Sequence, residues 1–411
     1  MNACIITIGD ELLQGFTVDT NSTWISQQLQ KVGIDVTTKV TVADGMDEII
    51  STVKYKLDAN HNFIFITGGL GPTHDDVTKT ALNKLFNSEE VFDEKWYDIL
   101  TERFAHRGLK IPDSNKSQAT ILKCSDSIEN SLGTALGMRI LQNQTQIFIL
   151  PGVPQEMKSM MTETVIPEYL PNRINPQIIT LQTIGITESQ LFEDIQDIVE
   201  QNSDNYKFAF YPHHTGVNIR LKAINEESDL YKIKEVLGER LGNLIYGQDD
   251  ESLSEIVGEM LANDGLTIAT AESCTGGLLG KLLTDIPGSS EYFLGGVIAY
   301  SNDLKQNLVG VSFKTLETYG AVSKEVAIEM ANGIRKKTSA DIGIGTTGIS
   351  GPTGGTEEKP VGLVHIAVSM NDITIVKEYH FLKDREMHRE MTAYTALNLL
   401  RKQLIFNSNP T

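Results

Sequence analysis

Residues 62–73 read NFIFITGGLGPT. An unbroken apolar run closed by paired glycines describes a short strand buried on both faces, because a strand with one wet face would alternate. Residues 3–9, ACIITIG, follow the same pattern, and so do residues 144–154, QTQIFILPGVP. Between the first two runs, residues 21–32 carry Ile25 and Leu29 at helical spacing, with Thr20, Asn21 or Ser22 as candidate caps. Residues 34–42, IDVTTKVTV, are β-branched and strand-like, and a second helix is expected over 46–57. This strand–helix alternation predicts a doubly wound parallel sheet with helices on both faces, over about 1–170.

Downstream the pattern changes. Residues 180–199 read as a strand and a helix, residues 208–223 as two strands around a turn at His214 to Gly216, and residues 230–245 as a helix. A small α+β module over 171–248 follows. Residues 252–411 return to α/β: an amphipathic helix ends in Gly265, then come LTIATAES at 266–273, a helix starting in CTGGLLGKLLTDI, further strands, and a last helix at 387–405. With 411 residues, two or three domains are expected.

A net charge of −19 with no strongly basic run works against nucleic-acid binding, which needs Lys and Arg to displace counterions. Cys4, Cys124 and Cys274 are too far apart for a CxxC site and are odd in number, so neither a disulfide framework nor a zinc centre is expected. No apolar run nears the ~18 residues of a membrane span, and the first residues lack a signal-peptide pattern. A cytoplasmic protein without membrane partners is expected.

Ser273 stands where a strand should give way to a helix, at the sheet edge where open α/β sheets bind ligands. Helix amides and the flexible Gly276 and Gly277 could hold an oxyanion if the serine attacks a carbonyl. The segment AYSNDLKQNLVG offers Tyr300 and Lys305 as a base, and a lysine serves only if its pKa falls. Cys274 is the rival nucleophile, or simply a buried thiol. A second glycine-rich stretch, GTTGISGPTGGTEEKPVG at 345–362, supplies Thr346, Thr347, Ser350, Gly348 and Gly351, and it lacks the GK[ST] of a Walker loop. Lys359 and Arg385 are candidate cations for a phosphate.

In the first domain, TGGLGPTHDDVT places Gly68, Gly69, Gly71, Thr73 and Thr78 at a strand's carboxyl end. Asp75 and Asp76 beside them could hold a divalent ion against a pyrophosphate, or cap the next helix. Asp10, Glu11, Asp44 and Glu156 follow other strands and reach the same edge if those strands are neighbours.

The stretches AESCTGG, AYSNDLKQNLVGV, YGAVSKEVAIEMA, GISGPTGGTEEKPVG and KDREMHRE together resemble the C-terminal domain of the CinA family, over about 252–405. The resemblance implies a nicotinamide mononucleotide deamidase that needs no metal or other cofactor. It implies Ser273 as nucleophile, Tyr300 and Lys305 as partners, and Thr275, Gly276, Gly277, Thr347, Gly348, Ser350, Gly351 and Arg385 around the substrate. The family's Gly-Asp-Arg stretch is Lys383-Asp384-Arg385 here. The stretches IGDELLQGFTVDTNS, TGGLGPTHDDVT, NKSQA and LPGVPQEM resemble the molybdopterin-binding fold found joined to CinA domains. That resemblance implies an ADP-ribose pyrophosphatase giving AMP and ribose 5-phosphate, dependent on Mg²⁺ or a similar ion with Asp75 and Asp76 as candidate ligands. Gly9, Asp10, Glu11, Asn21, Asp44, Gly68, Gly69, Gly71, Thr73, Asp76 and Glu156 would form its site. Leu136 stands where the family has proline in a GTAPG stretch. A homodimer is a further family expectation. The competing readings are a molybdopterin-binding protein of cofactor biosynthesis and a non-catalytic scaffold linked to competence.

Overall fold

The expected strands form, and four of them line up in parallel. The structure is a computed structural model and describes residues 1–73, 76–171, 178–225, 227–371, 373–381 and 384–408. The chain divides into two units, Met1–Ile178 and Ile179–Thr411, each taken by itself below.

In the first unit β1 (Asn2–Ile8), α1 (Thr20–Lys31), β2 (Asp35–Val42), α2 (Met46–Asp58), β3 (Phe63–Thr67) and α3 (Thr78–Phe86) alternate as read. They are followed by β4 (Asp126–Ile128), β5 (Gly137–Gln142), β6 (Thr145–Leu150) and α4 (Pro154–Met160). The sheet order is β2-β1-β3-β6-β5-β4. β2, β1, β3 and β6 are parallel, whereas β5 runs against both its neighbours, β6 and β4, so the sheet is mixed rather than wholly parallel. Both faces are covered. Ile64 and Ile66 of β3 pack with Ile49 and Val53 of α2 and Leu82 of α3, while Phe63 and Phe65 pack with Ile25 and Leu29 of α1 and Met157 of α4. The parallel strands therefore all end at one edge, at Gly9, Ala43, Gly68 and Pro151.

The cap of α1 is not one of the three expected residues. Asp19 accepts from Ser22 N at 2.9 Å. Thr20, Asn21 and Ser22 form the first turn instead, and Asn21 points inward, where its Nδ2 donates to Thr67 Oγ1 at 3.0 Å and Gly152 O at 2.8 Å.

The second unit holds two sheets. The small one comprises β7 (Ile178–Thr183), β8 (Tyr206–His213), β9 (Gly216–Ala223) and β10 (Ile245–Gln248), in the order β8-β9-β7-β10. Its core includes Leu191, Ile195 and Ile198 of α5 (Glu188–Asn202) and Ile233 and Leu237 of α6 (Leu230–Leu241). The large sheet comprises β11 (Ile268–Glu272), β12 (Phe293–Ile298), β13 (Ile342–Gly348), β14 (Leu363–Met370) and β15 (Ile373–His380), in the order β12-β11-β13-β14-β15. The first three are parallel, and β14 runs antiparallel to both β13 and β15. One face packs on α7 (Leu253–Asp264), α8 (Leu278–Thr284) and α11 (Arg385–Ser408) through residues such as Val257, Leu279, Leu283, Ala396 and Leu400. The other packs on α10 (Lys324–Thr338) through Val326, Met330 and Ile334, together with Val309 of α9 (Asn302–Val309). Among the described residues no helix is long and apolar enough to cross a membrane.

The seat of α9 depends on one glycine. A Cβ on Gly333 of α10 would lie 1.6 Å from the Val309 carbonyl oxygen. That is deep inside contact distance, and the obstacle is backbone, so α9 and α10 would have to part. Gly333→Ala is therefore expected to destabilise the domain by ~1–3 kcal/mol, despite alanine's better helix propensity. Denaturant unfolding of the full chain measures it; a midpoint equal to or above that of the natural sequence contradicts the packing account.

Candidate functional site

Ser273 follows β11 directly. The parallel register pairs Glu272 with Ile298 of β12 and with Thr346 of β13, so three strand ends meet there. Ser273 N donates to Thr346 O at 3.0 Å, which fixes the serine at the sheet edge. The helix does not begin at once, as the sequence reading has it. Residues 273–277 form a turn through Gly276 (φ 63°) and Gly277 (φ 93°), a left-handed path that glycine takes without strain, and α8 starts at Leu278.

Several amides of that turn are already committed. Glu272, 2% exposed, accepts from Gly277 N at 2.9 Å, Leu279 N at 3.1 Å and Gly280 N at 2.8 Å. Gly276 N donates to Ser273 O at 3.2 Å. Thr275 Oγ1 shares a bond with Thr346 Oγ1 at 2.9 Å, and Thr275 O accepts from Arg389 Nε at 3.2 Å and Nη2 at 3.0 Å. Thr275, Gly276 and Gly277 are the residues expected around the substrate. None of the three lines the cleft, and the two glycine N–H groups are spent inside the turn. Glu272 was missed in the sequence. The readable signal was an acid closing a buried strand just ahead of a helix.

The cleft beside Ser273 has a volume of about 270 Å³. It is lined by Ser273, Cys274, Tyr300, Lys305, Arg385 and two loops, at 321–322 and 347–354. Its lining includes the Arg385 guanidinium and the Lys305 amine and no carboxylate, in a chain of net charge −19. Lys305, 2% exposed, donates from Nζ to Ser273 Oγ at 3.0 Å, Ala299 O at 2.8 Å and Tyr300 O at 3.2 Å. Burial holds its pKa below the ordinary lysine value, and among the described residues no carboxylate forms a salt bridge with it. The neutral amine suits the same three contacts. Its two N–H bonds satisfy the two carbonyls, and its lone pair is left facing the serine hydroxyl.

Tyr300 takes a different place. Its ring is 59% exposed, and its hydroxyl accepts from Arg385 Nη2 at 3.0 Å rather than meeting Ser273. Of the two candidate bases, Lys305 is the one on the serine. Burial pushes the Cys274 thiol up to about 12, so it carries almost no thiolate at neutral pH.

The glycine-rich loop closes the opposite wall. Thr347 Oγ1 donates to Ala321 O at 2.8 Å, and Gly348 belongs to the β13–β14 ladder opposite Val364. Ser350 Oγ meets His388 Nδ1 at 2.9 Å, and Gly351 O accepts from Arg385 Nη1 at 2.9 Å. Lys359, read as a candidate phosphate cation, donates instead to Tyr319 O at 2.5 Å and Val322 O at 2.7 Å, tying the two loops together. Arg385 uses two of a guanidinium's five N–H groups in these contacts and stands at the cleft. Lys383 lies outside the described residues. The sequence reading also missed His388, whose only signal is its place three residues after Arg385 on one helix.

The acids of the first unit are less open than expected. Asp10 N donates to Asp44 Oδ2 at 2.9 Å, and Asp44 N donates to Asp10 Oδ1 at 3.3 Å. Asp76 accepts from Gly71 N at 2.7 Å, Thr73 N at 2.9 Å and Thr73 Oγ1 at 2.5 Å, which curls the loop around its carboxylate. Thr78 Oγ1 donates to Gly68 O at 3.0 Å, where a Cβ on Gly69 would collide with that hydroxyl. Glu156 accepts from Asn130 Nδ2 at 2.7 Å, and Glu11 sits exposed on a four-residue helical turn after Gly9. Asn21 Oδ1 is buried without a partner. A divalent ion needs several converging oxygen ligands, and among the described residues no three Asp, Glu, His or Cys side chains converge to hold one. An ion set against a pyrophosphate commonly takes only one or two carboxylates, the substrate's oxygens completing its shell, so such a site would draw most of its ligands from the substrate rather than from the described residues. Asp75 lies outside them.

Three family models match along the chain: a probable molybdopterin binding domain at 4–170, the damage-inducible protein CinA KH domain at 179–247, and the CinA C-terminal domain at 250–404. A CinA-like protein of Chloroherpeton thalassium is 42% identical, over 98% of this chain and 99% of its own length. A putative competence-damage inducible protein of Caldicellulosiruptor saccharolyticus is 41% identical, over 98% of this chain and 100% of its own. A crystal structure of a competence/damage inducible protein from Agrobacterium tumefaciens is 39% identical, covering 37% of this chain and 96% of its own, with a TM-score of 0.36.

Proposed function

The chain belongs to the CinA family, and on that premise we propose that its C-terminal domain is a serine amidohydrolase converting nicotinamide mononucleotide to nicotinate mononucleotide and ammonia. The observation that carries this reading is the 3.0 Å contact between Ser273 Oγ and a buried Lys305 amine with no counter-ion among the described residues. The cleft is just under the ~300–1,000 Å³ usual for small-molecule pockets. Its cationic lining favours a phosphate-bearing substrate, with Arg385 as the contact.

The steps follow from the geometry. Neutral Lys305 takes the Ser273 proton as Oγ bonds to the carboxamide carbon. Ile349 N is spent on Leu363 O at 2.8 Å, whereas alternation along β13 turns Gly348 N away from β14, to the side where Thr346 O meets Ser273 N; the Gly348, Ser350 and Gly351 amides are therefore the loop's candidate oxyanion donors. The lysine ammonium then protonates the departing nitrogen, the C–N bond breaks and ammonia leaves. Water attacks the acyl ester with Lys305 again as base, the C–Oγ bond breaks, and the proton returns to Ser273.

An acyl-enzyme can be intercepted. Purified full-length protein given nicotinamide mononucleotide and hydroxylamine is expected to yield the hydroxamate alongside the acid, with one ammonia per turnover. Ammonia release without any hydroxamate would point to direct attack by water; no ammonia from the nucleotide would end the reading.

For the N-terminal domain the proposal is cleavage of ADP-ribose to AMP and ribose 5-phosphate. Its support is the glycine-rich loop at the carboxyl edge of parallel strands and the unpartnered Asn21 Oδ1 beside it. Incubation with ADP-ribose, with Mg²⁺ and with a chelator, decides whether this half acts and whether an ion is required.

A further inference from the structure

One buried pair in the cleft wall has no part in the steps above. Ser350 is 5% exposed and His388 is fully buried, and their Oγ and Nδ1 lie 2.9 Å apart. Phe381 packs edge-on to the imidazole at 5.9 Å between ring centroids. Burial, reinforced by the Arg385 charge one turn earlier, keeps the ring below its ordinary pKa and so neutral at pH 7.

A neutral imidazole has one N–H and one lone pair, and its surroundings choose which nitrogen has which. Nε2 is buried and makes no hydrogen bond among the described residues. The ring meets Ser350 as an acceptor in the tautomer that carries its proton on Nε2. Nδ1 is then an acceptor, and the hydrogen between the two residues comes from Ser350. With its only proton committed to the histidine, the Ser350 oxygen can offer the cleft nothing but lone pairs. Lys305 and Arg385 present donors when charged. Thr347, whose proton goes to a backbone carbonyl, is a second hydroxyl turned acceptor.

We propose that His388 carries its proton on Nε2 and is a positioning residue that fixes the Ser350 hydroxyl as an acceptor for the N–H of the substrate's carboxamide, so that the cleft tells a carboxamide from a carboxylate. The inference rests on the amidohydrolase reading for the identity of the ligand. A carboxamide brings two N–H donors to that oxygen, whereas a carboxylate brings only lone pairs. A site built to pair a donor discriminates strongly against an analogue that lacks it.

Binding separates this inference from turnover. In the full-length Ser273→Ala background, calorimetry with nicotinamide mononucleotide and with nicotinate mononucleotide is expected to give the amide about a 10–100-fold preference. Adding Ser350→Ala should reduce that preference to near unity, and His388→Leu should do the same. His388→Asn, whose Oδ1 can take the Ser350 proton, should restore most of it; a merely structural loss would not be rescued this way. A preference unmoved by Ser350→Ala, or lost equally in His388→Asn and His388→Leu, overturns the inference. If His388→Leu fails to fold, Ser350→Ala and His388→Asn still decide. A protein that prefers the amide through Ser350 yet releases no ammonia would sink the amidohydrolase reading and uphold this one; binding neither nucleotide would sink both.

Discussion

Ser273→Ala is expected to lower kcat for ammonia release by about 10⁴-fold or more, Lys305→Met by about 10²–10⁴-fold, and the double variant by no more than Ser273→Ala alone. The non-additivity is the informative part. Lys305 can only act through the serine it touches, so once the hydroxyl is gone a methionine at 305 has nothing further to remove. A double variant clearly worse than Ser273→Ala would give Lys305 a second task. Cleavage of ADP-ribose should be untouched by either change, because Ser273 and Lys305 lie in the unit spanning Ile179–Thr411 and the proposed pyrophosphatase lies in Met1–Ile178.

The same pair sets a pH dependence with a definite sign. Lys305 works as a base only when neutral, and burial has lowered its pKa in the folded protein. Activity should therefore rise with pH through that lowered value and level off below 10.5, the ordinary lysine figure. Stability follows the same direction. Between the folded and unfolded values the unfolded chain binds the extra proton, so stability increases with pH across that interval. The group's contribution is fully present above the unfolded value and is lost as pH falls through the folded one. Lys305→Met should flatten that slope in denaturant unfolding measured at a series of pH values. A slope that survives the substitution would assign it to another group.

Much of the fold was legible because buried strands have a plain signature. The apolar runs at 3–9, 62–69 and 144–150 have no polar alternation, and each became a strand with helices on both faces. What sequence could not show was direction. β5 in one sheet and β14 in the other run against their neighbours on both sides. A buried strand reads alike either way, so only the connection tells, and that was misjudged. The site was legible in its parts but not in its assembly. Ser273 and Lys305 are 32 positions apart, and periodicity says nothing about such a pair. Register supplies the link. Glu272 opposite Ile298 places Ala299 and Tyr300 beside Ser273, and α9 then turns back to carry Lys305 under both. The donors at the start of α8 were read as available because a helix start ordinarily is. Here the residue before the nucleophile already occupies them.

That residue makes the last expectation the sharpest test of the site's construction. Glu272 has both oxygens buried against three backbone N–H groups, at 2.8–3.1 Å. Hydrogen bonds to a charged acceptor are worth ~1.5–3 kcal/mol each, and an amide left buried without an acceptor loses its hydration besides. Glu272→Ala should therefore destabilise the C-terminal domain by about 3–5 kcal/mol, among the largest effects a single substitution produces. Glu272→Gln keeps one oxygen that can accept two of the bonds but turns an NH₂ toward the third amide, so an intermediate loss is expected. Activity should fall in the same order, because the carboxylate holds residues 277–280 and thereby the turn that begins at Ser273. If Glu272→Ala unfolds at the same denaturant concentration as the natural chain, water reaches those amides and the turn holds itself. If instead stability falls but a folded fraction of Glu272→Ala keeps full turnover per molecule, the serine is positioned by its bond to Thr346 O and by Lys305 alone.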